Sequence, residues 1–453
     1  MPFDCCIKNA KIYLKSKIIE GGIVVDHGKI VKITKDTSLI QADHKIDAKK
    51  HLALPGCIDV HAHLRDFKLS YKEDFYTGTC SAAKGGITTV LDMPNSQPPT
   101  ININILKERK RVAKRKIVVN VGFYAAIPSS IDEIYLLVRE GVFGFKLYLH
   151  HPITEIDVEN DEELTKYFSE IAKWNTIVAV HPDDKTTIEK NLSLLKNEDL
   201  SSLDMFLKTY TPEGEKIAVE RCLKIIGKTG TRLHVCHVST SDALRAIQNA
   251  KERNLNVTCE VTPHHLFLKT SDFERWGSYA KTLPPLRTQQ DIEILWEGLR
   301  NGIVDIIATD HAPHSAEEKE KGFLEAPPGI PGFETMLPLM LTMVKRGKIR
   351  LDTLVSLTSY NPAKIFDIKN KGEIAEGFDA DLILVDMKKE YRIRPELFLS
   401  KAKYSPFAGW KVEAKVVATI VNGIMVMKDD EILVSVGSGK IIERGILHGK
   451  IPM

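Results

Sequence analysis

Gly56-Cys57-Ile58-Asp59-Val60-His61-Ala62-His63-Leu64-Arg65 is a short apolar run that ends in side chains able to do chemistry. Seven comparable runs follow, separated by helix-length segments: Ile87 to Asp92, Ile117 to Phe123, Phe143 to Leu149, Ile177 to Val180, Arg232 to Val238, Asn256 to Val261 and Val304 to Ala308. This alternation is the pattern of repeated βα units. Eight of them predict an α/β chain closed as a (β/α)8 TIM-type barrel, with its chemistry at the C-terminal ends of the strands. The polar residues of the first stretch fall at such an end.

Outward from the barrel, both ends of the chain change style. Cys6 to Tyr13, Gly22 to Asp26 and Lys29 to Ile33 read as strands, with His27-Gly28 as a hairpin turn. Ala380 to Val385, Val416 to Val421 and Ile424 to Val426 read the same way, with Asn422-Gly423 as another turn. The expected organisation is a small β-domain, a sandwich formed by residues 1–53 and 369–453, around a catalytic barrel of residues 54–368.

The 453 residues are too many for one ordinary core, and 43% hydrophobic with 27% charged residues are globular values. The net charge of +3 is scattered, without the basic stripe of a nucleic-acid binder. Lys107 to Lys116 reads as a solvated helix face. Apolar runs stop short of a membrane span, and Met1 to Ala10 lacks a signal-peptide pattern. Seven cysteines without CxxC pairs fit free thiols in a reducing compartment. The expectation is a cytoplasmic protein with neither nucleic acid nor membrane as partner.

His61 and His63 lie two apart, so on a strand both imidazoles face one way and can reach one ion. Later strand ends bring His181, His237, Asp310 and His314 towards the same mouth. A buried carboxylate such as Asp310 is costly without a balancing cation. Lys146, inside the apolar strand Gly144 to Tyr148, has two readings that the residues alone leave open. It is a snorkelling surface lysine, or it is an amine neutral enough to take up carbon dioxide and become an anionic ligand.

HAHLR at 61–65, MPNS at 93–96, GFKLYL at 144–149, CHVS at 236–239, CEVTPHHL at 259–266 and TDHAPHS at 309–315 together resemble the cyclic amidohydrolases, and among them the dihydroorotases. PPGIPGFETMLPLML at 327–341 and SPFAGWKV at 405–412 extend the likeness towards the C-terminus. The resemblance implies a centre of two Zn2+ ions. His61, His63, Lys146 and Asp310 would hold one ion; His181 and His237 would hold the other. Lys146, as N6-carboxylysine formed from carbon dioxide or bicarbonate, would bridge them. Asp310 would also be the catalytic base and acid.

The same likeness implies a small-molecule substrate and a reaction, the reversible cyclisation of N-carbamoyl-L-aspartate to (S)-dihydroorotate in pyrimidine biosynthesis. His63, Arg65, Asn95 and His314 would bind the substrate carboxylate and ring, with the backbone of Pro328 and Gly329 against its polar groups. On its own Asn95 reads as a turn residue. Leu283 departs from the pattern, since a polar residue often stands just before PPL; either another group such as Arg287 or Lys281 compensates, or carboxylate binding is weaker. Cys236 reads as a core thiol and Glu260 as a hydrogen-bond partner near the centre. Tyr71 to Asp74 carries no assigned chemistry. Rival readings are a hydantoinase, dihydropyrimidinase or allantoinase, and a non-catalytic scaffold. Homo-oligomerisation and association with aspartate transcarbamoylase stay open.

Overall fold

A computed structural model describes residues 2–445. Eight parallel strands follow one another in sequence order: β1 (Cys57–Ala62), β2 (Ile87–Asp92), β3 (Asn120–Ala126), β4 (Gly144–Tyr148), β5 (Ile177–His181), β6 (Arg232–Val235), β7 (Val257–Val261) and β8 (Ile306–Ile307). A parallel bridge between Ala62 and His311 closes the ring, and the His63 N–H donates to the His311 carbonyl at 2.8 Å. Helices lie between the strands. That of Asp161–Lys173 shows why: Leu164, Tyr167, Phe168 and Ile171 share its buried face at helical spacing, and the Asn160 side chain caps its first turn.

The third, sixth and eighth strands differ most from expectation, the sixth ending at Val235 rather than Val238. The third begins at Asn120, although Ile117 to Val119 are fully buried. There the C-terminal segment takes over the backbone: the Gly439 N–H donates to Ile117 O at 2.9 Å and the Val121 N–H to Lys440 O at 2.9 Å. The eighth is only two residues long, because the chain turns at Asp310, whose φ is +45°. The helix Ile103–Lys114 is also less solvated than its lysines suggest. Arg109 is buried against the rings of Phe67, Phe75 and Phe123 and pairs with Asp92.

The two ends of the chain share a nine-stranded sheet, in which Leu52–Pro55 pairs antiparallel with Leu382–Asp386. Its side chains alternate. Leu52, Leu54, Ile383 and Val385 join the core that includes the barrel, whereas Ala53, Leu382 and Leu384 form a separate cluster on the other face. His27-Gly28 and Asn422-Gly423 sit at its hairpins with φ positive at both residues, as primed turns require. All seven cysteines are free and buried. Among the described residues no helix is long and apolar enough to cross a membrane.

Candidate metal centre

The strand ends bring the expected side chains together in two adjoining groups. In the first, Asp310 Oδ1 lies 3.4 Å from His61 Nε2 and 3.1 Å from His63 Nε2. One donor atom from each of the three falls within 4.8 Å of the others, close enough to surround one cation. Burial opposes ionisation of Asp310, but the His61 and His63 imidazoles outweigh it and hold the carboxyl well below its usual range. Burial also lowers His63 to about 4, which keeps its ring neutral and its lone pair available.

In the second group His181 Nδ1 and His237 Nε2 approach to 2.8 Å. The His61 and His237 rings, 5.2 Å apart, connect the groups. Burial, then His181, drives His237 far below the ordinary imidazole value. Two imidazole nitrogens facing each other are a donor pair that one cation could join. His237 Nδ1 is buried without a hydrogen-bond partner. Its strand ends at Val235, and φ of +35° at His237 turns the ring into the mouth.

Lys146 is 1% exposed, so the surface reading of this lysine is excluded. Its Nζ lies 2.9 Å from Cys236 Sγ and 5.2 Å from the centre of the Tyr148 ring. Cys236 in turn groups with His61 and Glu260. The amine therefore sits among the side chains of the centre rather than in water. Burial pushes the Cys236 thiol up to about 12, so it stays protonated.

Glu260 orders this cluster. Its carboxylate bonds His61 Nδ1, accepts from the His237 N–H at 3.2 Å, and lies 3.0 Å from His234 Nε2. By fixing Nδ1 it directs His61 Nε2 towards Asp310. Asp183, 2.7 Å from His181 Nε2, does the same for His181. Sequence reasoning placed Glu260 near the centre but missed Asp183. The one available signal was its position two residues after His181.

A pocket of about 170 Å³ opens over the centre, lined in part by His63, Arg65, Asn95, Leu283, Pro328 and Gly329. Asn95 Oδ1 meets His63 Nδ1 at 2.6 Å, so the turn residue faces the site. Arg65 Nε is buried without a partner. His314 stands behind the lining, 3.4 Å from an Arg65 nitrogen and 3.0 Å from Pro328 O. Neither expected compensator for Leu283 lines the pocket. Arg287 binds Ser239, Tyr210 O and Glu215, and Lys281 turns to the carbonyls of Phe323, Leu324 and Ala326.

Known proteins resemble this chain over nearly its whole length. Residues 52–426 match the family model described as the amidohydrolase family. The chain is 37% identical over 450 residues to a dihydroorotase of Methanosarcina mazei, covering 97% of this chain and 98% of that one. It is 40% identical over 447 residues to a dihydroorotase of Pyrococcus horikoshii, covering 97% and 96%. An L-hydantoinase (dihydropyrimidinase) structure from Arthrobacter aurescens superposes with a TM-score of 0.94 at 34% identity, over 98% of this chain and 100% of that one. Barrel, clustered strand-end ligands and near full-length similarity place this chain in the amidohydrolase family, as a hydrolase acting on a cyclic amide.

Proposed function

We propose that the enzyme is a dihydroorotase, closing N-carbamoyl-L-aspartate to (S)-dihydroorotate and water, and reopening the ring, in the synthesis of UMP. The observation that carries this reading is Arg65, a guanidinium on the pocket lining with its Nε buried and unpartnered. A planar cation so placed suits the ring carboxylate of dihydroorotate, which hydantoin and allantoin lack. Dihydroorotase relatives at 37% and 40% identity support it. Leu283 on the lining and the hydantoinase likeness favour the rival, an uncharged cyclic amide.

In this reading His61, His63, Lys146 as its carbamate and Asp310 would hold one zinc ion, and His181 and His237, with Lys146 shared, would hold a second. When bound, the ions polarise the amide carbonyl and make water acidic enough to attack at neutral pH. Asp310 takes the proton of the attacking water on its carboxylate and delivers it to the departing ring nitrogen. Arg65 and Asn95 orient the carboxylate end of the substrate, with His314 supporting Arg65 from behind. The Pro328–Gly329 backbone meets the ring's polar edge. Ring closure removes a carboxylate charge and consumes a proton, so acid favours dihydroorotate and alkali favours opening.

The test compares turnover of dihydroorotate, hydantoin and allantoin by zinc-loaded enzyme. Preference for dihydroorotate is expected; activity confined to the other two would overturn the assignment.

A further inference from the structure

One wall of the pocket combines Leu283, Ala312, Pro328 and Gly329, which come from separate chain segments. Two buried lysines tie those segments together. Lys319, fully buried at the end of the short helix Ala316–Lys319, donates from Nζ to Pro327 O at 3.0 Å and Gly329 O at 3.1 Å. Lys281, two residues before Leu283, donates to Phe323 O at 2.7 Å, Leu324 O at 2.9 Å and Ala326 O at 2.8 Å. Its own carbonyl accepts from the Gly329 N–H at 2.8 Å. The Tyr404 hydroxyl is the second donor to Gly329 O, at 3.2 Å.

Amino groups are costly to bury, and here backbone carbonyls and aromatic faces replace the lost water. Lys281 Nζ lies 5.3 Å from the ring centres of both Phe206 and Phe323, and Lys319 Nζ lies 5.6 Å from that of Tyr404. The donor count matches the acceptors. Lys281 offers three N–H groups to three carbonyls, while the two bonds of Lys319 can be made by an ammonium or a neutral amine. The wall has no slack at Gly329, where φ is +147° and a Cβ would come within 2.3 Å of Ala312 O.

We propose that Lys281 and Lys319 are positioning residues that set the Pro328–Gly329 backbone at the distance the substrate requires, from behind the pocket wall. The inference rests on the reading of this pocket as the substrate site. Neither side chain touches the proposed metal ligands, so their loss should alter substrate binding and leave the centre intact.

The experiment uses zinc-loaded Lys319→Met, Lys281→Met and Tyr404→Phe beside the parent enzyme. It measures kcat and KM for dihydroorotate, zinc content, and amide hydrogen exchange across residues 322–330. Each lysine variant should raise KM about tenfold, the scale of a lost buried hydrogen-bond pair, while kcat and zinc content hold. Exchange across 322–330 should accelerate. Tyr404→Phe keeps its ring, so it reports even if a lysine variant fails to fold, and should show a smaller rise in KM. Unchanged KM and unchanged exchange in Lys319→Met and Tyr404→Phe would overturn the proposal. Failure of the parent enzyme to turn over dihydroorotate would instead refute the substrate reading, and exchange alone would then decide the clamp.

Discussion

The Asp59 carboxylate ties the first barrel strand to the turn after the last, accepting from the Thr309 N–H at 3.2 Å and the Thr309 hydroxyl at 2.5 Å. It also accepts from the His61 N–H at 3.1 Å, so one buried side chain sets the spacing between His61 and Asp310. Burial raises its pKa to about 7, a cost the fold accepts for that closure. Asp59→Ala should strand the Thr309 donors and lower stability by about 1–3 kcal/mol. Zinc content should fall with it. Thermal unfolding and metal analysis check this, and a variant with parental values in both would reject the closing role.

Lys146→Ala removes the proposed bridging carbamate and should abolish turnover. Short carboxylic acids are small enough to enter the vacated space and supply the missing oxygens, so partial recovery with acetate or propionate is expected. Full activity without any additive would eliminate the bridge.

Arg65→Met keeps much of the stem and removes the guanidinium from the pocket. If Arg65 binds the substrate carboxylate, kcat/KM for dihydroorotate should drop by the equivalent of about 2–5 kcal/mol, the cost of losing one partner of a buried charge pair. Hydantoin turnover should change far less. Equal losses on both substrates would mean that Arg65 supports the pocket rather than selecting the substrate.

Much of the site was legible because barrel geometry converts local spacing into convergence. His61, His63, His181, His237 and Asp310 each follow an apolar run, and parallel pairing brings those ends to one mouth. Asp183 was missed because its value depends on which His181 nitrogen faces the cluster, and spacing does not reveal a tautomer. The backbone contacts of Lys281 and Lys319 were illegible for another reason. Their partners are backbone carbonyls, which carry no signature in side-chain chemistry. The third strand was placed early because apolar residues at Ile117 to Val119 look the same whether a strand or the distant C-terminal segment completes their hydrogen bonds.

Lys371 helps fasten the terminal sheet to the barrel. Its Nζ lies between Asp379, at 2.9 Å, and Asp381. Asp381 accepts from Asn120 Nδ2 at 2.9 Å, at the start of β3, and from the Asn422 N–H at 2.7 Å, in a hairpin turn of the sheet. Lys371→Met leaves buried Asp381 without its cation and Asp379 with only Lys29, and should cost about 3–5 kcal/mol. The pH dependence has a definite sign. Burial works against ionised Asp379, but Lys371 and then Lys29 outweigh it and hold the carboxyl below its ordinary 3.8. That contribution is present above pH 3.8 and is lost as pH falls through the lower folded value. Without Lys371 the depression shrinks to what Lys29, 2.5 Å from Asp379, still supplies. Unfolding temperatures measured from pH 6 downward should therefore fall more steeply in the parent than in the variant, and parallel curves would show that the lysine does not hold these acids.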